Sequence, residues 1–161
     1  MDNEKIKEIV KEKFTEYLAL HGHRRTPERY AILEHIYSFD GHFDLEALYE
    51  SMSSGDFRVS RATIYNTIEL LLDCRLVLKH QFGKNISYYE KSYNNDNHHH
   101  LICTECGAVR EIKDNDISRL IENKKISRFK PVHYSLYMYG VCNKCSSTKN
   151  KKIKNNKEIR K

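Results

Sequence analysis

Along residues 4–20 the apolar side chains Ile6, Ile9, Val10, Phe14, Tyr17 and Leu18 recur at helical spacing, with lysines and glutamates between them. Such a stripe predicts an amphipathic first helix. His21-Gly22 ends it. Thr26-Pro27 then supplies an N-cap followed by proline at the first helical position, where a missing N–H costs nothing, and opens a second helix through about Tyr37 with Ile32, Leu33 and Ile36 inward. A third, short helix starts from Asp44 and carries Leu45, Leu48, Tyr49 and Met52. The loop SSGDFRV contains Gly55. After it Ser60 caps a fourth helix, RATIYNTIELLLDC, whose expected inward face is Ala62, Ile64, Ile68, Leu71 and Leu72.

The period then changes. RLVLKHQF and ISYYEK, rich in β-branched and aromatic residues, flank Gly83-Lys84-Asn85 and predict a hairpin. Helix, turn, helix, hairpin is the winged-helix order. From about Ser92 the composition shifts: YNNDN reads as a polar hinge, HLIC and AVREI as two strands, and Asp114 as the opening of a helix carrying Ile117, Leu120 and Ile121. A last strand is expected after Pro131. In VHYSLYMY, Val132, Tyr134, Leu136 and Met138 alternate with His133, Ser135, Tyr137 and Tyr139, so both faces should be partly covered. The class is α+β, with a winged helix over residues 1–91 and a small α/β lobe over 92–148. A strand so rich in tyrosine, in so short a lobe, suggests a sheet completed by a second copy and hence a homodimer.

At 161 residues the chain can bury one ordinary core or two small ones. Its net charge of +6 invites a nucleic-acid reading. The charge, however, lies in the tail: residues 149–161, KNKKIKNNKEIRK, hold seven basic residues and one acidic, which equals the whole excess. Binding of DNA by the body must therefore use a local basic surface, while the tail, poor in apolar residues, reads as a disordered arm. No apolar run approaches the roughly 20 residues of a membrane span. The opening MDNEKIKEIVKEK carries charge where a signal peptide needs an apolar stretch. A cytoplasmic protein, with no membrane partner, is expected.

In that reducing compartment the pairs Cys103/Cys106 and Cys142/Cys145 favour metal over disulfide. Four thiolates in two short knuckles suit tetrahedral structural zinc, which would help the small lobe fold. Cys74, within LLLDCRLV, reads as a small buried hydrophobe. A second cluster, His98-His99-His100 with Glu90, Glu111 and, far upstream, His42, offers nitrogen and oxygen donors. If the strands flanking the first knuckle pair across Thr104-Glu105 in simple register, His98 lies opposite Glu111, and His100 shares their face while His99 takes the other. Imidazoles and carboxylates without thiolate suit Fe²⁺, Mn²⁺, Co²⁺ or Zn²⁺, and affinity order does not choose among them.

With HRRTPERYAIL, GHFDLEALY, SRATIYNTIELL, HHHLICTECG and SLYMYGVCNKC in hand, the chain over about residues 5–145 strongly resembles the ferric uptake regulator family of metal-dependent bacterial transcription factors. The resemblance implies an N-terminal winged-helix DNA-binding domain and a zinc-stabilised dimerisation domain. It also implies a regulatory metal whose ligands fall on His42, Glu90, His98, His100 and Glu111. Iron-dependent repression of a double-stranded operator is the leading expectation, with peroxide, manganese, zinc or haem sensing as alternatives within the family. Tyr65 is expected to pack on a thymine methyl in the major groove and Arg24 to reach the adjacent minor groove. Ile64 and Ile68 already occupy the inward helix face, which leaves Tyr65 exposed. Arg29 and Arg61 are candidate phosphate contacts, and Ser60, Thr63 and Asn66 complete the DNA-facing set.

Two departures qualify the likeness. An additional metal site of many members maps here onto Asn97, His99, Ser118 and Tyr134, which offer few ligands, so that site should be absent or weak. Asn66 stands where iron-type members often have arginine and is similar to the peroxide-sensing branch. That branch, however, tends to use aspartate where this chain has Glu90 and Glu111. Outside the family, a zinc hydrolase would need an arrangement such as H-E-x-x-H, which does not occur, and a metal-storage protein would not need the Ser60-to-Cys74 helix.

Overall fold

The structure, a computed structural model, describes residues 3–53, 58–82, 87–93, 98–131 and 133–147. Gly55, the Gly83-Lys84-Asn85 turn, most of the YNNDN hinge with Asn97, Val132 and the basic tail lie outside the described residues. The chain divides into two compact units, Met1–Asn95 and Asp96–Lys161.

In the first unit the helix α1 spans Asn3–Leu20 and buries Val10, Phe14 and Leu18, one residue per turn. The next helix, α2 (Pro27–Ser38), begins after an extended Thr26 and buries Ile32, Leu33, Ile36 and Tyr37. α3 covers Leu45–Ser53, and Asp44 Oδ1 accepts from the Ala47 N–H at 2.8 Å to cap it. α4 (Arg61–Asp73) starts at Ser60, whose hydroxyl accepts from the Thr63 N–H at 3.1 Å, satisfying an otherwise orphaned donor.

The buried face of α4 differs from the expected one. Ile64, Thr67, Ile68 and Leu71 point inward, whereas Ala62 is exposed and Leu72 half-buried. α4 packs on α2, α3 and β1 (Val77–His80), and a stripe with spacing 3, 1 and 3 fits that groove. Ala62, two residues from Ile64, lies nearly opposite. Thr67 can be buried because its hydroxyl donates to the Thr63 carbonyl at 2.7 Å.

A left-handed Arg75 (φ 57°) turns the chain out of α4, with the Leu76 N–H reaching back to the Leu71 carbonyl at 2.9 Å. β1 pairs antiparallel with β2 (Tyr88–Lys91), Leu78 opposite Glu90 and His80 opposite Tyr88. Phe43 bridges to the far edge of β2 through Tyr89, donating and accepting at 2.9 and 2.7 Å. The Tyr37 hydroxyl donates to the Leu76 carbonyl at 2.7 Å and ties α2 to the start of the hairpin. Helix, turn, helix and hairpin thus close on one apolar core in the winged-helix order.

The second unit is a three-stranded sheet of order β4-β3-β5. β3 (His99–Cys103) lies in the middle, antiparallel to β4 (Val109–Ile112) and parallel to β5 (Tyr137–Gly140). α5 (Asn115–Glu122) lies between β4 and β5 in sequence, and the Asp114 carboxylate caps it by accepting from Asp116 and Ile117 N–H groups, both at 3.0 Å. Two expectations are corrected. The β3–β4 register places His100, not His98, opposite Glu111, because the Cys103 N–H bonds to the Ala108 carbonyl around a loop four residues long, where the simple register allows two. Gly107, at φ +72°, is the residue that closes this longer loop. The last strand begins at Tyr137 instead of just after Pro131, with the Leu136 carbonyl before it accepting from the His100 N–H at 3.0 Å. Its side chains are also more open than expected: within one chain Tyr139 is 59 % exposed and Met138 36 %.

Candidate metal centres and nucleic-acid face

The first knuckle joins β3 to β4, and the second follows β5, so the parallel pairing of β3 with β5 brings the two together at one end of the sheet. The sulfurs of Cys103, Cys106, Cys142 and Cys145 all lie within 4.8 Å of one another. Cys106 Sγ and Cys142 Sγ are 3.9 Å apart. Four sulfurs at about 2.3 Å from a tetrahedral ion are separated by about 3.8 Å, so this donor set fits zinc. The backbone supports the same reading. N–H groups of Cys142, Cys106 and Glu105 point at Cys103 and lower its thiol to about 6, with the Cys142 N–H at 3.3 Å. Cys145, hydrogen-bonded to the sulfurs of Cys106 and Cys142, is pushed up to about 12. Cys74 takes no part; it is half-buried at the end of α4, and burial raises its thiol to about 11.

In the first unit a different chemistry gathers around Glu90. The Phe43–Tyr89 bridge puts the neighbouring His42 opposite Glu90 on one side of β2. The β1–β2 register puts His80 diagonally across from Glu90 on the other. His42 Nε2 is 3.6 Å from Glu90 Oε2, and His80 Nε2 is 2.6 Å from Oε1. The Glu90 side chain is only 4 % exposed. Phe82 stands against both imidazoles, with ring centroids 5.2 Å from His42 and 5.4 Å from His80. His42 and Glu90 were singled out from the sequence; His80 was not.

In the second unit His100 and Glu111 are direct cross-strand partners, and His98, two residues before His100, has its ring 4.8 Å away. Donor atoms of His98 and Glu111 lie within 4.8 Å of each other. The sheet therefore gathers His98, His100 and Glu111 on one face despite the altered register, because both registers have the same parity. His99 points the other way. It is fully buried, its ring 6.3 Å from that of Tyr134, and neither its ring nitrogens nor the Tyr134 hydroxyl has a hydrogen-bond partner among the described residues. Ser118 is half-buried on α5, and Asn97 lies outside the described residues.

The DNA-facing candidates cluster at the start of α4 and in the loop before α2. Tyr65 is 52 % exposed, and Asn66 beside it is exposed. Ser60 and Thr63 are occupied by the helix cap, their hydroxyls 2.9 Å apart. Arg61 is paired with Glu46 of α3 and stacked over the Tyr49 ring at 4.0 Å. This pairing lowers the Glu46 carboxyl below the usual carboxylate range and raises the guanidinium. Arg24 is exposed, and the Arg29 guanidinium donates to the Arg24 carbonyl, so Arg29 braces the loop that carries Arg24.

The chain is similar to several known proteins. The ferric uptake regulator family matches residues 20–139. The peroxide-responsive repressor PerR of Staphylococcus aureus is 32 % identical over 127 residues, covering 77 % of this chain and 83 % of the relative. The ferric uptake regulator of Vibrio cholerae is similar at a TM-score of 0.59 and 30 % identity, over 78 % of this chain and 96 % of that one. The Pseudomonas aeruginosa regulator, solved with manganese, is similar at a TM-score of 0.68 and 25 % identity, over 80 % and 97 %.

Proposed function

The chain belongs to the ferric uptake regulator family, and from that membership we propose that it is an iron-responsive repressor, acting as a homodimer on a near-palindromic double-stranded operator in the cytoplasm. As a family member it is a metal-responsive transcription regulator. Cys103, Cys106, Cys142 and Cys145 hold the structural zinc in this reading. His42, Glu90, His98, His100 and Glu111 form the regulatory set.

The observation that carries the iron reading is the pair of glutamates: Glu90 and Glu111 stand where the peroxide-sensing branch tends to use aspartate, in a donor set without thiolate and separate from the four cysteines. Bound Fe²⁺, for which Mn²⁺ or Zn²⁺ can substitute in vitro, supplies a divalent charge that holds such donors in one coordination sphere. The chain's own residues convert that into DNA affinity. Glu90 and His42 are anchored on the hairpin, whose strand β1 packs against α4, so fixing these donors steadies the helix that presents Tyr65. In this reading, binding the ion removes freedom that an unliganded dimer must lose on binding DNA. The dimer is supported by the exposed apolar side chains Leu120, Phe129, Met138, Tyr139 and Val141 in the second unit.

The test is DNA retention by zinc-loaded full-length protein on a selected duplex pool, under anaerobic Fe²⁺, Mn²⁺ or Zn²⁺. His98→Ala and Glu111→Ala should each keep the zinc and lose the metal dependence. A variant that responds at unchanged Fe²⁺ concentration removes that residue from the regulatory set. Peroxide sensing is the second reading, favoured by Asn66 and by the likeness to PerR. Release of Fe²⁺-dependent DNA by dilute hydrogen peroxide, with no release from the Mn²⁺ form, would replace the iron reading with it.

A further inference from the structure

We propose that His80, together with His42 and Glu90, forms a three-donor divalent-metal site contained within the first unit, so that this unit takes up the ion with its own residues. The inference rests on the reading that His42 and Glu90 are regulatory ligands, and adds a donor which that set lacks.

Four observations carry it. The donor atoms of His42, His80 and Glu90 lie within 4.8 Å of one another. Both imidazole Nε2 atoms face the same carboxylate, one at each oxygen, at 3.6 and 2.6 Å. Ligands about 2.1 Å from an ion sit about 3.0 Å apart at right angles and about 3.4 Å apart in a tetrahedron, so these spacings need only tenths of an ångström of adjustment. The groups are also held. His80 and Glu90 are fixed by the β1–β2 ladder, and His42 by the Phe43–Tyr89 bridge, so all three arise from paired backbone. Finally, the site is largely buried: His80 is 2 % exposed, Glu90 4 % and His42 12 %, and the His80 ring stacks on Phe82 with an interplanar angle of 5°. Two imidazoles and one carboxylate leave coordination positions open for further donors, a pattern suited to Fe²⁺ and its neighbours.

The experiment titrates zinc-loaded full-length protein with Co²⁺, reading visible absorption and equilibrium dialysis. The combined His98→Ala, His100→Ala, Glu111→Ala variant should still bind one equivalent of Co²⁺ beyond the zinc, more weakly than the parent. Adding His80→Ala to it should weaken that binding at least tenfold. His80→Gln, which can still donate a hydrogen bond to Glu90, should be as weak as His80→Ala, with circular dichroism and zinc content unchanged in both. The inference is overturned if the triple variant binds no Co²⁺, if His80→Ala leaves its affinity unchanged, or if His80→Gln restores it, the last making His80 a brace for Glu90 only. If the parent itself takes up no second ion, the regulatory-metal reading falls as well. Loss in the triple variant alone leaves that reading intact.

Discussion

Replacing Cys103 by serine should unfold the second unit while leaving the first intact, because the two units draw on different sources of stability. Among the described residues the first has a continuous core of 17 buried residues, from Val10 on α1 to Tyr89 on β2. In the second, the buried hydrophobic residues of a single chain, among the described residues, are Ile102 and Cys103. Burying one such side chain contributes about 1.5–3 kcal/mol. A structural zinc site supplies on the order of 10 kcal/mol of folding free energy, several times more. Cys103 is also the sulfur on which three backbone N–H groups converge, so serine loses a ligand and disturbs the loop that positions the others. Zinc content together with amide hydrogen exchange resolved by segment is the assay. The expected result is loss of zinc and of protection in β3, β4 and β5, with protection in α1, α2 and α4 retained. A Cys103→Ser protein that keeps stoichiometric zinc and full protection in β3 would refute the assignment of the cysteines and the argument from core size.

Tyr65→Ala should cost on the order of 1–3 kcal/mol at a specific operator and little on random duplex, since it removes a base contact; equal losses on both, measured by competition binding, would move base reading elsewhere on α4. Ser60→Ala should destabilise the first unit by about 1 kcal/mol in urea unfolding by orphaning the Thr63 N–H, and an unchanged midpoint would show that water replaces the cap. Glu46→Gln should tighten binding to random duplex by releasing Arg61 to a phosphate, whereas Arg61→Ala should flatten the log–log salt dependence by roughly 0.9 for one contact. If neither variant alters the salt slope, Arg61 belongs to the α3–α4 interface and not to the DNA face.

Features set by neighbours along the chain were determined by the sequence alone. Ser60, Asp114 and Thr26-Pro27 announce helix starts because a cap or a fixed proline φ acts within one turn. The paired cysteines announce zinc because each knuckle's spacing is itself local geometry. The common face of His98, His100 and Glu111 was legible for a similar reason: strand alternation survives a register shift of two. The register itself was not legible, since the loop from Thr104 to Gly107 is set by how both knuckles turn their sulfurs towards one point, and the second knuckle is 36 residues away from Cys106. The inward position of Thr67 in place of Ala62 was likewise decided by the groove that α2, α3 and β1 present to α4. Engagement of Arg61 by Glu46 and of Arg29 by Arg24 depends on side-chain reach between elements, about which residue type says nothing. His80 marks the boundary most clearly. The β1–β2 ladder sets the diagonal approach of His80 to Glu90, but only the Phe43 bridge brings His42 to the same carboxylate. Local rules fix where each donor points; convergence of donors distant in sequence is settled by packing.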